Sequence, residues 1–248
     1  PVKLRSPFFL YFECMLPADI KNKRILIAPL DWGMGHLTRC IPLIRQFRKH
    51  ECEVIFAGTK IQNDLVQKDF PKIKTEKIPG YDVYLDSTES TYKQMLNQFR
   101  RIKRTVKDEK DIADKLVKKH KIDIVISDNR YGFRSDNAMN VFITHQLQPQ
   151  VPYFKKKVAR KIKKFIKKFD HCWIPDNKRD PLCGDLLKFK QDIPVHYIGW
   201  LSRFEKQDIE IENDVLVIVS GPMPESARFQ ANIQEALEQT NWKYKIVS

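Results

Sequence analysis

A histidine follows two closely spaced glycines near the start of the chain, in residues 31–36, which contain Gly33, Gly35 and His36. Glycines two positions apart permit a tight turn and let a ligand approach the backbone, and a helix that starts there favours negative charge. Histidine titrates near neutral pH and can act as a general base. The segment therefore predicts a ligand-facing turn that carries a base, with an ordinary glycine turn and an incidental histidine as the alternative.

The same segment lacks the third glycine of the G-x-G-x-x-G pattern, and no acidic residue ends the run at residues 56–58. Both departures disfavour a dinucleotide, and we expect no cofactor. The five cysteines are scattered without a C-x-x-C pair, which disfavours a disulfide scaffold or a zinc ribbon and is typical of a reducing cytoplasm. We also expect no metal site.

Two further polar clusters follow later β-branched runs, at residues 127–132 and 144–146. Each of their side chains alone could cap a helix or hydrogen-bond within its loop. Loops that follow parallel strands meet at one edge of the sheet, where ligands bind. We therefore predict that the clusters join the glycine turn in one site; their polar members are Asp128, Asn129, Arg130, Thr144, His145 and Gln146.

Short β-branched runs alternate with amphipathic stretches along most of the chain, which is the pattern of an α/β fold with a doubly wound parallel sheet. We predict a helix at residues 37–49 and a long, charge-rich helix or helix pair at about 90–120. The predicted strands of this first, Rossmann-like domain are residues 24–29, 53–57, 74–78, 122–127, 140–144, 171–174 and 195–199.

A polar, acidic stretch at residues 202–213 reads as a linker, and a second β-α-β start follows at residues 214–248. Its predicted elements are a strand at 215–219, a helix at 225–239 and a strand at 244–247. So short a unit cannot bury both faces of a sheet. We therefore expect a first domain at residues 23–201 and a truncated second one, with a layer that packs on the first domain as the alternative.

Residues 1–22 precede the first predicted strand and are expected to be an N-terminal extension. Within them, residues 1–14 contain a short apolar run at 7–12 that is too short to span a bilayer. We interpret residues 1–14 as an upstream extension or an artefact, with a short membrane-touching arm as the alternative.

The chain carries 45 basic against 31 acidic residues, a formal net charge of +14. Of this charge, +9 falls in residues 151–190, where a basic helix is predicted at 155–169. Val158, Ile162, Phe165 and Phe169 form one apolar stripe on that helix. The lysines either form a solvated outer face or rest on an anionic membrane. Nucleic acid is not expected as a partner, because no reader motif is present and the aromatic residues lie on the stripe.

Residues 27–39, with 127–132 and 142–146, resemble the N-terminal signature of GT-B glycosyltransferases. The resemblance is strongest to the family 28-like group, which includes lipid-linked N-acetylglucosaminyltransferases and uncharacterised bacterial members. It spans residues 23–248 and implies an acceptor-binding domain followed by the start of a donor-binding domain. The implied reaction is an inverting, metal-independent hexosyl transfer from a nucleotide sugar, expected to be a UDP-sugar, to a cell-envelope or glycolipid acceptor.

In this resemblance His36 is the candidate base, and Asp128 is expected to orient its imidazole. Gly33, Gly35 and the polar members of the two later clusters are expected to bind substrate. The turn at residues 220–224 stands where the donor domain opens its first loop, so that Gly221, Pro222 and Glu225 are the expected donor contacts. The implied location is cytoplasmic, on the inner face of the cytoplasmic membrane.

Two other classes of protein remain open from the sequence. The first is a non-catalytic basic α/β module that binds anionic lipid or nucleic acid. The second is a two-domain α/β enzyme such as a UDP-sugar epimerase. Fold alone does not separate these classes from a transferase.

Overall fold

The protein is described here by a computed structural model that covers residues 15–81, 91–148, 155–187, 190–220 and 223–248, with backbone alone at 91–103, 155 and 157–158. The predicted run at residues 7–12 lies outside the described residues. The chain divides between Arg203 and Phe204 into two compact units. This division lies inside residues 202–213, the predicted linker, which contains no helix or strand.

The first unit is a seven-stranded parallel sheet with helices between its strands. The strands are β1 (Arg24–Pro29), β2 (Glu53–Gly58), β3 (Lys74–Lys77), β4 (Ile124–Asp128), β5 (Met139–Ile143), β6 (His171–Ile174) and β7 (Val195–Tyr197). The helices are α1 (Met34–Lys49), α2 (Lys60–Asp69), α3 (Thr91–His120) and α4 (Lys155–Ile166). Strand order is β3-β2-β1-β4-β5-β6-β7, and every pair is parallel.

The core lies on both faces of the sheet because successive residues of a strand point to opposite sides. In β1, Ile25 and Ile27 pack with the inner face of α1, whereas Leu26 and Ala28 pack with α3. All four β1 residues are fully buried. Strands buried on both faces read as continuous apolar runs, which is why their positions were predictable.

The α/β fold and all seven strands predicted for the first unit are confirmed, with ends that shift by up to two residues. Helix α2 was not predicted. Its start carries a capping box, in which the Thr59 hydroxyl accepts from the Gln62 N–H and the Gln62 side chain accepts from the Thr59 N–H. This T-x-x-Q spacing is a helix-start signal that the sequence contains.

The N-terminal side of the first unit begins earlier than predicted. Met15 and Ile20 are buried in the core, and the Trp173 indole N–H donates to the Met15 carbonyl at 2.9 Å. Asn22 adds a backbone hydrogen bond to His50. The predicted extension at residues 1–22 is therefore wrong for residues 15–22, which pack as part of the first unit.

The second unit contains β8 (Val215–Ile218), α5 (Glu225–Glu238) and β9 (Tyr244–Val247), as predicted. The two strands are parallel and pair from Val215–Tyr244 to Ile218–Val247. Leu216 and Ile218 are largely exposed on one side of this small sheet.

Candidate functional site

The strand order switches direction between β1 and β4, which are parallel neighbours in the sheet. From β1 the chain proceeds to β2 on one side, and from β4 it proceeds to β5 on the other. Pro29 at the end of β1 pairs with Asp128 at the end of β4. Loops that leave adjacent strands in opposite directions open a crevice at the carboxyl edge, which is where open α/β sheets bind ligands.

His36 and Asp128 meet at this edge. The His36 Nδ1 lies 3.1 Å from Asp128 Oδ1, although the residues are 92 positions apart in sequence. Asp128 is fully buried as the last residue of β4, while the His36 side chain keeps 13% of its surface exposed in the first turn of α1. The structure thus brings together the two residues expected to form the base and its orienting carboxylate.

A third residue of this cluster, Arg39, was not predicted. Its guanidinium binds the Asp128 carboxylate in a bidentate manner through Nε and Nη2, and Nη2 also lies 2.5 Å from His36 Nδ1. The spacing His36–Arg39 places both side chains on one face of α1, since residues three apart on a helix are neighbours. That spacing, visible in the sequence, was the signal available to find it.

Electrostatics make this a tightly coupled group. Burial raises the pKa of the Asp128 carboxyl, but the Arg39 charge and the hydrogen bonds from His36 and Arg39 outweigh burial, so that this pKa lies below its usual value. Burial lowers the pKa of Arg39, but the charge of Asp128 and its hydrogen bond with Arg39 outweigh burial. The pKa of Arg39 is therefore raised. The pair is therefore ionised.

His145, from the loop after β5, completes the cluster. Arg39 Nη1 lies 3.0 Å from His145 Nδ1, and the two imidazole rings of His36 and His145 have centroids 6.4 Å apart. Burial, together with the charges of Arg39 and His36, lowers the pKa of His145. Because arginine only donates, the neutral His145 ring accepts at Nδ1 and carries its proton on Nε2. We call His36, Arg39, Asp128 and His145 the imidazole cluster.

The glycine turn leads directly into this cluster. Gly33 caps α1 in the left-handed region, with φ of +71°, where a side chain would be strained. Gly35 is exposed, and a Cβ there would meet no atom within 4 Å. Residues 33–35, at the start of α1, are exposed beside His36, and a helix start attracts negative charge.

Arg130 was predicted to bind substrate, but the structure places it in the interior of the first unit. Its side chain is fully buried, with Nε donating to Glu109 Oε1 at 2.7 Å and Nη2 donating to the Pro79 carbonyl at 2.6 Å. Glu109 also accepts from the Tyr81 hydroxyl and the Gly132 N–H. In this arrangement Arg130 ties the loops after β3 and β4 to helix α3, and its buried side chain is not exposed to a substrate. We call Tyr81, Glu109, Arg130 and Gly132 the buried network.

The other predicted contacts of the first unit comprise one buried residue and two residues that are partly exposed at the edge of the sheet. Thr144 is fully buried, and its hydroxyl shapes the loop by accepting from the Gln146 N–H at 3.0 Å, so Thr144 is also a correction. Gln146 is half-buried beside His145. Asn129 is half-buried with φ of +55°, and its Oδ1 finds no hydrogen-bond partner among the described residues. Asn129 and Gln146 therefore stay candidates for substrate contact.

The predicted donor contacts belong to the second unit. Gly221 and Pro222 lie outside the described residues. Glu225 is exposed as the first residue of α5. Its role in donor binding stays a prediction.

One further carboxylate at this edge was missed, although it follows β6 just as Asp128 ends β4. Asp176 is buried and accepts from the Leu182 and Cys183 N–H groups and from the Trp200 indole N–H, each at 3.0 Å. Burial opposes its ionisation, but these donors lower the pKa of Asp176 to about 2. Asp176 therefore orders the loop between β6 and β7.

Solved structures that resemble this chain share its fold. The Arabidopsis thaliana UGT89C1 complexed with UDP-L-rhamnose matches with a TM-score of 0.58 and 12% identity, covering 92% of this chain and 66% of that one. The Phytolacca americana UGT2 complexed with UDP-2fluoro-glucose and pterostilbene matches at 0.53 and 15%, covering 91% and 66%. The spinosyn rhamnosyltransferase SpnG matches at 0.53 and 14%, covering 90% and 64%.

The fold is that of GT-B glycosyltransferases. The chain spans just under two thirds of the length of these structures. No protein-family profile matches the sequence, and no curated protein matches it. The narrower resemblance to the family 28-like group stays a prediction.

The described residues lack a metal-binding cluster and a membrane-spanning helix. Within that part of the chain, no group of three or more histidine, cysteine, aspartate or glutamate side chains is placed to hold a metal ion. The helices in the described ranges likewise include none with the length and hydropathy that a bilayer crossing requires.

Proposed function

We propose that this chain forms the acceptor-binding side, and the beginning of the donor-binding side, of a glycosyltransferase. The reaction moves a hexosyl group from a nucleotide sugar, with a UDP-sugar as the expected donor, to a cell-envelope or glycolipid acceptor. One observation carries the proposal: His36 sits against a buried Asp128 at the crevice between β1 and β4, beside an open helix start. The fold shared with nucleotide-sugar transferases supports it.

In this proposal His36 is the general base. In this role the Nδ1–H of His36 donates to Asp128, and Nε2 keeps its lone pair for the proton of the acceptor hydroxyl. In that tautomer the contact of Arg39 Nη2 with Nδ1 is not a hydrogen bond. As the hydroxyl oxygen bonds to the anomeric carbon, its proton passes to His36 Nε2. The bond from that carbon to the phosphate oxygen breaks, and the nucleoside diphosphate leaves with the electron pair. A displacement of this kind inverts the anomeric centre and requires no metal ion.

Exposed apolar side chains border the same turn. Trp32 and Met34 are about half exposed, and Trp32 packs edge-on against Tyr81 with ring centroids 6.2 Å apart. An aromatic face beside the base suits an acceptor with an apolar or sugar-ring surface. Asn129 and Gln146 supply polar groups at the adjacent loops.

The test compares two histidines that each pair with a carboxylate. In the full-length protein we expect His36→Ala to lower kcat for transfer at least ~100-fold with little change in fold. His120 lies 2.6 Å from Glu76 at the end of α3, away from the carboxyl edge of the sheet, and His120→Ala serves as the matched control. The assay offers a panel of labelled nucleotide sugars with and without candidate acceptors.

An unimpaired His36→Ala enzyme would remove this residue from the mechanism. A sugar product formed without any acceptor would replace transfer with epimerisation. Failure of every nucleotide sugar to bind or react would favour the non-catalytic binding module.

We further propose that α4 places the protein on an anionic membrane, at the inner face of the cytoplasmic membrane. The apolar side of the helix packs within the unit, where Ala159, Ile166 and the following Phe169 are buried. The opposite side presents exposed cations such as Lys156 and Lys164. Each well-placed cation contributes up to ~1 kcal/mol near an anionic leaflet. Several together suffice for peripheral attachment.

Liposome co-sedimentation tests this surface with two variants of equal charge. Replacing Lys156, Lys164 and Lys167 by glutamate should abolish binding to anionic vesicles, because it reverses the charge of the outer face of α4. Replacing the exposed Lys49, Lys68 and Lys72 by glutamate changes net charge equally and should leave most of the binding intact. Binding that ignores lipid charge or salt, or that both variants lose alike, would contradict the proposal.

A further inference from the structure

The chain that follows β6 forms a further wall at the carboxyl edge of the sheet. Residues 176–187, which we call the Asp176 loop, end in a 3₁₀-helical turn at Gly184–Leu187. The buried Asp176 carboxylate accepts three hydrogen bonds from groups that are separated along the chain, each at 3.0 Å: the amides of Leu182 and Cys183 and the indole of Trp200. One side chain therefore fixes the course of the whole loop.

The far end of the Asp176 loop binds the backbone of residues 144–148, which carry several of the predicted substrate contacts. The Leu186 carbonyl accepts from the N–H groups of Leu147 and Gln148, at 2.9 and 2.8 Å. The Leu186 N–H donates to the Cys183 carbonyl at 3.1 Å, so this carbonyl group belongs to the turn that the carboxylate anchors. The carboxylate is thus linked to residues 144–148 through a single turn of backbone.

His145 and Gln146 lie between two fixed points of that backbone. On one side, the Thr144 N–H donates to the Trp173 carbonyl at 3.1 Å, which ties the start of the segment to β6. On the other side the Leu186 carbonyl holds the end of the segment. The positions of the two side chains at the crevice therefore depend on the Asp176 loop as well as on the sheet.

The Asp176 loop also lies beside the imidazole cluster. The Cys183 thiol and the Arg39 guanidinium are close enough to interact electrostatically. Leu182 and Trp200, which supply two of the donors to the carboxylate, expose most or about half of their side chains to solvent. The same carboxylate therefore shapes the wall that a molecule in the crevice meets on this side.

We propose that Asp176 is a positioning residue for acceptor binding, which holds His145 and Gln146 in the place where they contact the acceptor. The donors to its carboxylate belong to its own loop and to Trp200, so the contact between His36 and Asp128 does not pass through it. The role in acceptor binding rests on the proposed function, whereas the structural link from Asp176 to residues 144–148 does not.

The first experiment measures amide hydrogen exchange by NMR, which needs neither donor nor acceptor. In Asp176→Asn an NH₂ group replaces one acceptor oxygen, so at least one amide of the Asp176 loop loses its partner. We expect exchange at the Leu147 and Gln148 amides to become about tenfold faster, because the carbonyl that they bind is less firmly held. The amides of Leu26 and Ile27 in β1 should keep their rates, which shows that the fold is intact.

Asp123 offers a matched control at the opposite end of the sheet. Its carboxylate also accepts a backbone N–H, that of Arg24 at 2.8 Å, but at the amino edge. Asp123→Asn should therefore leave exchange at Leu147 and Gln148 unchanged. If Asp176→Asn does not fold, Trp200→Phe is the milder variant, because it removes only the indole donor, and it should accelerate exchange at the same two amides by a smaller factor.

Steady-state kinetics of the full-length protein supply the second measurement, with the nucleotide sugar and acceptor that react fastest in the transfer panel. Asp176→Asn should raise KM for the acceptor about tenfold and change kcat less than about twofold, which is the signature of a lost binding contact. In a His145→Ala/Gln146→Ala background it should change that KM less than about twofold, because the contacts that it positions are already absent. Asp123→Asn should leave both constants unchanged.

Unchanged exchange at Leu147 and Gln148 in the Asp176→Asn protein, or equal acceleration in Asp123→Asn, would overturn the proposal. A fall in kcat at constant acceptor KM would also overturn it, since it indicates a role in stability alone. If the two amides exchange faster as expected but the unmodified full-length protein transfers no sugar, the link from Asp176 to residues 144–148 stands and the proposed function fails.

Discussion

Two arginine–carboxylate pairs lie at the end of β4, and they differ in what surrounds them. Arg39 and Asp128 are flanked by two partly exposed imidazoles at an open crevice. Arg130 and Glu109 are sealed, with exposures of 0% and 1%, between the Tyr81 and Phe133 rings. Asp128 and Arg130 are only two residues apart in sequence. An arginine–carboxylate pair can therefore belong to a reactive site or stabilise the packing of loops. The difference is whether a histidine next to the pair is exposed to solvent, as at Asp128, or the pair is fully buried, as at Glu109.

The largest difference is expected when each pair is broken. Arg130→Met should lower the free energy of unfolding by about 3–5 kcal/mol, because it leaves the buried Glu109 carboxyl without its cationic partner. Chemical denaturation measures this loss. The double variant Glu109→Gln/Arg130→Met should recover part of it, since the glutamine side chain is neutral and still accepts from Tyr81 and Gly132. A double variant as unstable as the single one would contradict the assignment of this pair as a buried charge pair.

A smaller effect distinguishes two glycines, one in each region. In Gly132→Ala the new Cβ would meet the Val106 carbonyl oxygen at 2.0 Å, so we expect a loss of about 1–3 kcal/mol from overpacking. In Gly35→Ala the Cβ enters open space, and alanine favours the helix, so stability should change by no more than about 1 kcal/mol, in the stabilising direction. Thermal and denaturant unfolding of both variants test the contrast. Equal losses at the two positions would refute it.

The smallest effect concerns acid stability at the carboxyl edge. The folded-state pKa of Asp176, about 2, lies below the ordinary value near 3.9, so its ionised form stabilises the folded state at pH above about 4. That contribution is lost as pH falls from about 4 through about 2. Asp176→Asn should therefore show a shallower fall of unfolding free energy over this window, measured relative to its own value at pH 6. Parallel curves for the two proteins would show that Asp176 has no such role.

Local sequence patterns determined most of the fold. Apolar runs bounded by turns placed strands such as β1, β2 and β4, because a strand buried on both faces is apolar nearly throughout. The polar strand β3 and the half-exposed strands β8 and β9 were predicted from weaker patterns. Helix α2 was not predicted because its apolar pattern is weak. Thr59 and Gln62 nevertheless form a capping box that marks its start. The site was predictable to the level of its edge, since parallel strands end together and His36, Asp128 and His145 lie at or after three such ends.

The sequence by itself determined that polar side chains gather at one edge of a parallel sheet, because strand direction follows from local pattern and connection length. Only the tertiary structure decided which of them face the crevice. Arg130 is buried because its guanidinium binds Glu109, which lies 21 residues away on α3. Arg39 belongs to the imidazole cluster because α1 places it against Asp128 at the end of β4. Burial and charge pairing depend on groups that are distant in sequence, and their effect appears only when packing brings those groups together.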